Sequence, residues 1–167
     1  MKRFFLLLLG VCLLNAGQAQ NNKASLEKIK QTLQSLNYKF QEKSVDSEGL
    51  LEVSVKYEAA TNTNDSNIPV IVRVNSYNDL EILDVSVLAK KISLESNAAG
   101  ATQYDELASF LAANTSYKIG ALQTVPNTVG KGKDVNLVYA VKIPFTAEKA
   151  MVEQLMKLMV QVATDFD

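Results

Sequence analysis

Apolar side chains recur along this chain with two different periods. Leu26, Ile29, Leu33, Leu36 and Phe40 follow one another at intervals of three and four. That spacing gathers them on one face of a helix. Ser25 stands where it can cap the helix start, and Lys28 occupies the place where a capping box has its glutamate. The helix fades at Asn37, with Tyr38 to Glu42 extended. Asp46 to Gly49 reads as a turn. Leu51, Val53, Val55 and Tyr57 then alternate with Glu52, Ser54 and Lys56, which predicts a half-buried strand. Ala60 to Asn67, rich in Asn, Thr, Asp and Ser, reads as a loop. Val70, Val72 and Val74 predict a second strand, entered through Pro69, where a missing N–H is tolerated. After a tight connection at Tyr77 to Asp79, Leu80 to Leu88 predicts a third.

Lys90 to Thr102 reads as a connector. Tyr104 to Asn114 follows as a helix with Leu107, Phe110 and Leu111 on one side. Tyr117 to Thr124 predicts a fourth strand, and Pro126 to Asp134 a polar loop. Val135, Leu137, Tyr139, Val141 and Ile143 alternate strictly as a fifth strand, ended by Pro144. Thr146 can cap the last helix, with Glu148 in its first turn. Ala147, Met151, Leu155, Leu158, Val162 and Phe166 make one stripe along it, with Met159 beside the stripe. Met156 points away. The order is therefore α-β-β-β-α-β-β-α, and the fold class is α+β. An antiparallel sheet packs against helices, and the C-terminal helix is long.

The first residues follow neither period. Lys2 and Arg3 precede an apolar run from Phe4 to Leu14, and Gly17-Gln18-Ala19 places small residues at the two cleavage positions. This is the pattern of a secretory signal peptide, residues 1–19, removed after Ala19. The run falls short of the ~20 residues a spanning helix needs, so stable membrane insertion after cleavage is not expected. Leu9 stands three places before Cys12, as in lipidated leaders. Val11 is bulky where a small residue belongs, and Cys12 lies inside the apolar run, so it leaves with the leader. Residues 20–167 then form a single domain, periplasmic or secreted, with no cysteine and no disulfide.

Composition narrows the chemistry. The chain of 167 residues is 47% hydrophobic and 21% charged, which suits a folded core. Losing Lys2 and Arg3 takes the net charge from −1 to −3. An acidic balance argues against a nucleic-acid partner. The tyrosines do not interleave with a basic patch, so no base-stacking platform is expected. The chain contains no histidine. That removes the commonest general base, the serine and cysteine triads and most zinc sites. Asp79 and Glu81 share a strand face while Asp84 takes the other, so no acid–base pair is expected among them. The Asn62-to-Ser66 segment lacks the central glycine and closing glutamate of a calcium loop. Gly130-Lys131-Gly132-Lys133 lacks phosphate-loop spacing and precedes a strand. No catalytic residue, metal site or cofactor is predicted.

The later elements carry a resemblance. Tyr104 to Asn114, then Lys118-Ile119-Gly120, then Leu137 to Pro144 and the helix ending Ala163-Thr164-Asp165-Phe166-Asp167 resemble the YbjN family of bacterial domains. The likeness spans Ser25 to Asp167. In that family a helix with a late asparagine leads to a strand opening near glycine; an apolar strand, a proline and a long helix follow. The resemblance implies the fold of type III secretion chaperones and a chaperone-like, protein-binding role, with a partner protein or a second copy. The leader departs from the family pattern and sets aside a cytoplasmic regulatory role. The loops at Asn62 to Asn67 and Asn127 to Asp134 are long for it.

The functional expectation is an exported, non-catalytic, chaperone-like protein-interaction module, not an enzyme. The open sheet face, a free strand edge and the last helix are its candidate surfaces, and Met156 is the residue singled out for partner binding. The alternative is a small carrier holding an apolar ligand between the sheet and the C-terminal helix.

Overall fold

The computed structural model describes residues 22–45, 48–57, 66–77, 80–93, 100–126 and 134–166. The leader with Cys12, Asp46 and Ser47, Asn62 to Asp65, Asp79 and Gly130 to Lys133 lie outside the described residues.

Helix α1 covers residues 22–35. Strands β1 (Lys39–Val45), β2 (Glu48–Tyr57), β3 (Ser66–Tyr77) and β4 (Leu80–Ser93) follow. Then come α2 (Gly100–Ala112), a short 3-10 turn (Ala113–Ser116), β5 (Ala121–Pro126), β6 (Asp134–Pro144) and α3 (Lys149–Asp165). The strands form one antiparallel six-stranded sheet in the order β1-β2-β3-β4-β6-β5. The α+β class and the long C-terminal helix are as expected. The segment expected only to be extended, Tyr38 to Glu42, supplies most of β1 and adds a strand to the sheet. None of the described helices is long and apolar enough to cross a membrane.

Register explains the core. Leu51, Val72, Val85 and Val141 lie opposite one another across β2, β3, β4 and β6. Val53, Val70, Val87, Tyr139 and Leu122 make the next row. Directly opposed residues share a face, so both rows turn the same way. Both are buried with Leu26, Ile29 and Leu33 of α1 and Val152, Leu155, Met159 and Val162 of α3; Leu107 and Phe110 of α2 pack against this core. The described helices therefore cover one face of the sheet, and none of them packs on the other, called the open face below.

Three local expectations are corrected. Ser25 is not the cap of α1, because the helix already runs at residue 22 and the Ser25 hydroxyl turns to Glu81. Strand β4 continues past Leu88 to Ser93. A register shift between Leu88 and Lys90 leaves Ala89 as an extra residue. Beyond this bulge the alternation changes phase, so Lys90 and Ile92 oppose Leu137 and Val135 on the covered face. A reading that requires strict alternation stops there. The fourth predicted strand begins at Ala121, not at Tyr117, because Gly120 has a left-handed φ of 75°.

Met156 is a further correction. It is 1% exposed and sits within the core, whereas Met151 is 40% exposed. Leu155, Met159, Val162 and Phe166 mark the centre of the helix's apolar arc. Met151 and Leu158 flank it on one side, Val152 and Met156 on the other. The arc is wider than the sheet contact, and α3 turns its Val152–Met156 flank inward. Met156 thus offers no exposed patch.

Candidate functional site

The segments that carry the family resemblance converge at the turn between α2 and β5. The Asn114 side-chain amide donates to the Leu122 carbonyl at 3.1 Å, and its oxygen accepts from the Leu122 N–H at 2.5 Å. One side chain thereby satisfies both backbone groups of a residue on edge strand β5, as a further strand would. The Tyr139 hydroxyl donates to the Ile119 carbonyl. The Tyr117 and Tyr139 rings lie 4.8 Å apart, tilted at 50°. A Cβ on Gly120 would stand 2.6 Å from both the Ala140 carbonyl oxygen and Val141 Cγ2, and 2.8 Å from the Tyr139 hydroxyl. These residues hold the turn between α2 and β5 together.

The carboxylates singled out on β4 are not brought together. Glu81 accepts the Ser25 hydroxyl at 2.9 Å on each oxygen. Asp84 is on the open face, opposite Arg73 of β3 and Lys142 of β6, with the Lys142 amine 3.7 Å away. Among the described residues no group of three or more His, Cys, Asp or Glu is placed to hold a metal ion.

The open face mixes small, apolar and charged residues. Across β4, β6 and β5 it presents Ser86, Ala140 and Ala121 in one row and Leu88 and Val138 in the next. Charged residues of this face occur on β1, β2, β3, β4 and β6. Among the described residues the register puts Lys39, Lys43, Lys56, Arg73, Lys91 and Lys142 on this face, against Glu52, Asp84 and Asp134. Lys43 pairs with Glu52 on the neighbouring strand.

A cavity of about 610 Å³ opens where β1 and β2 meet the second half of α3. The end of α1 builds one wall. Asn37 adopts a left-handed φ of 60°. Its N–H donates to the Gln34 carbonyl and that of Tyr38 to the Leu33 carbonyl, both at 3.0 Å. This is the paired closure of a helix that ends on a left-handed residue. Tyr38 follows, half-buried against the core. Leu36, Tyr38, Val55 and Val160 give the cavity an apolar lining, and Lys39, Lys56 and Lys157 approach it from three different elements. Among the described residues no Asp or Glu lines it.

Burial pushes the Tyr38 phenol above its ordinary range, and Glu153 adds to this while Lys157 opposes it. Glu153 lies one turn before Lys157 on α3 with its carboxylate 2.8 Å from the amine. A second hollow of about 410 Å³ shares Lys39, Ser54 and Asn67 with the first and reaches Glu52 and Pro69 on the open face. Sequence reasoning did not single out these lysines. They lie far apart along the chain, and only the sheet register and the seat of α3 unite them.

No protein-family model matches the chain, and no curated protein matches it significantly. Among solved structures, the chain is similar to the crystal structure of YbjN from E. coli. The two share 12% sequence identity over 84% of this chain and 89% of that one, with a TM-score of 0.43.

Proposed function

We propose that this chain is an exported, non-catalytic, chaperone-like interaction module that works in the periplasm or outside the cell once its leader is removed after Ala19. The observation that carries this reading is the sheet face that no described helix covers, where the apolar Leu88 and Val138 lie among six cations and three acids of the described residues. Apolar contact at Leu88 and Val138 would supply affinity, and the cations would steer and orient a partner. Two copies meeting through this same face would oppose cation to cation, so the face suits a protein with an acidic surface better than a second copy. The absence of histidine and the separation of Glu81 from Asp84 both agree with a role without catalysis.

A photo-crosslinking residue at Leu88, which is 38% exposed, tests the face in the native cell envelope. The expected result is a discrete adduct that Arg73→Glu abolishes and that the same label at Lys149 on α3 does not form. Equal labelling from both positions would overturn the reading. Recovery of full-length chain with Met1 in the cytosol would overturn export.

A second reading is favoured by the cavity beside α3. Its position, between the sheet and the C-terminal helix, is where a small carrier would hold an apolar ligand.

A further inference from the structure

We propose that Met151 is an oxidation site, where hydrogen peroxide converts the thioether to the sulfoxide while the fold stays intact. The inference is independent of the open sheet face and of the cavity beside α3.

Its basis is where the sulfur atoms lie. The chain has four methionines and one cysteine. Met1 and Cys12 precede Ala19, so removal of the leader leaves Met151, Met156 and Met159, all on α3, and no thiol to compete for an oxidant. The seat of α3 treats these three differently. Met156 is 1% exposed and Met159 0%, both within the core. Met151, in the first turn of the helix, is 40% exposed, while its neighbour Val152 is buried. A dissolved oxidant therefore reaches one sulfur of the folded chain and not the other two.

The same contrast decides what the product does. The sulfur lone pair attacks one peroxide oxygen, and an S–O bond forms as the O–O bond breaks. The proton on the transferred oxygen passes to the departing hydroxide. Thioether and hydrogen peroxide thus give sulfoxide and water, with an electron pair moved from sulfur to oxygen. The apolar side chain becomes a polar one. At Met151 water can solvate the new oxygen. At Met156 or Met159 the oxygen would sit in an apolar interior without a donor, which is costly. Met151 takes oxidant while the chain is folded, and the core sulfurs take it only when the chain opens. Methionine sulfoxide reductases reverse the change.

The test exposes the mature chain, residues 20–167, to hydrogen peroxide, once folded and once in unfolding urea. Mass spectrometry of tryptic peptides follows each methionine. Fragment ions separate Met151 from Met156, which share the peptide between Lys149 and Lys157. In the folded chain Met151 is expected to oxidise at least about tenfold faster than Met156 and Met159, and in urea all three at similar rates. The chain oxidised at Met151 alone is expected to melt as the untreated one does. Met151→Leu is expected to remove the fast uptake of oxygen and to stay folded. Oxidation of Met156 or Met159 as fast as Met151 in the folded chain would overturn the proposal. So would unfolding of the chain oxidised at Met151 alone. A preference for Met151 that persists in urea would trace it to local sequence and not to the fold, and would overturn it as well.

Discussion

The hydroxyl of Ser25 in the first turns of α1 donates to the carboxylate of Glu81 at the start of β4, 2.9 Å from each oxygen and 56 residues away. Ser25 is otherwise buried, so this carboxylate is what compensates its hydroxyl for the loss of water. The bond ties the first helix to the middle of the sheet. Ser25→Ala is expected to cost about 1.5–3 kcal/mol, the range for hydrogen bonds to charged groups. Urea unfolding measures this; a change below about 0.5 kcal/mol would mean that water replaces the hydroxyl at no loss.

Gly120 and Gly49 both look crowded, but for different reasons. At Gly120 an added Cβ meets backbone and buried atoms, and φ is 75°. At Gly49 it meets Leu26 Cδ2 at 2.8 Å, the end of a side chain that can rotate away. Gly120→Ala is therefore expected to destabilise by at least ~2 kcal/mol and Gly49→Ala by less than ~1 kcal/mol. The ranking of the two midpoints decides the matter, and a reversed order would refute it.

Asn114 closes the outer edge of β5 by serving both backbone groups of Leu122. Asn114→Ala leaves that edge open. The expected result is a loss of about 1–3 kcal/mol together with faster hydrogen exchange at the Leu122 amide. An unchanged exchange rate would show that some other group covers the edge.

The two methionines of α3 reverse the roles that periodicity assigns them. Met156→Ala is expected to cost about 2–5 kcal/mol through the cavity it leaves, and Met151→Ala less than ~1 kcal/mol. If Met151 proved the more costly, the rotation of α3 about its axis would have to be redrawn.

Alkaline solution should weaken the fold. Burial first, and Tyr117 second, push the Tyr139 phenol above its ordinary value of 10.0. Tyr117 and Tyr38 shift the same way, again chiefly by burial. Hydrogen bonds to Glu27 and Glu42 raise the Lys30 ammonium above 10.5. In each case the unfolded chain releases its proton first as pH rises. Above pH 10.0 the unfolded state binds fewer protons than the folded one, so stability falls with pH; below it the contribution is fully present. Denaturation midpoints on either side of pH 10.0 test the sign. Tyr139→Phe should lower stability overall, by losing the bond to Ile119, yet make the alkaline decline shallower. A decline equally steep in that variant would place its cause elsewhere.

Periodicity in the sequence was enough to determine the α+β class, the end of α1 at Asn37, the alternating strands β2, β3 and β6, and the end of α3 at Asp165, though α3 starts at Lys149 behind Glu148 and not behind a Thr146 cap. Each rests on neighbours within a few residues, where side-chain period and backbone geometry are directly coupled. The absence of histidine was likewise sufficient to remove whole classes of chemistry. Tertiary structure alone decided the rest. The bulge at Ala89 shifts the phase of β4, and a phase change reads as an end until β6 lies beside it. The apolar arc of α3 exceeds what the sheet can cover, so only docking could choose Met156 over Met151. Ser25 finds Glu81, and Lys39, Lys56 and Lys157 come to line one cavity, across separations in the chain that no local period spans. Contacts of that kind depend on where the sheet brings distant segments, and one-dimensional spacing carries no record of it.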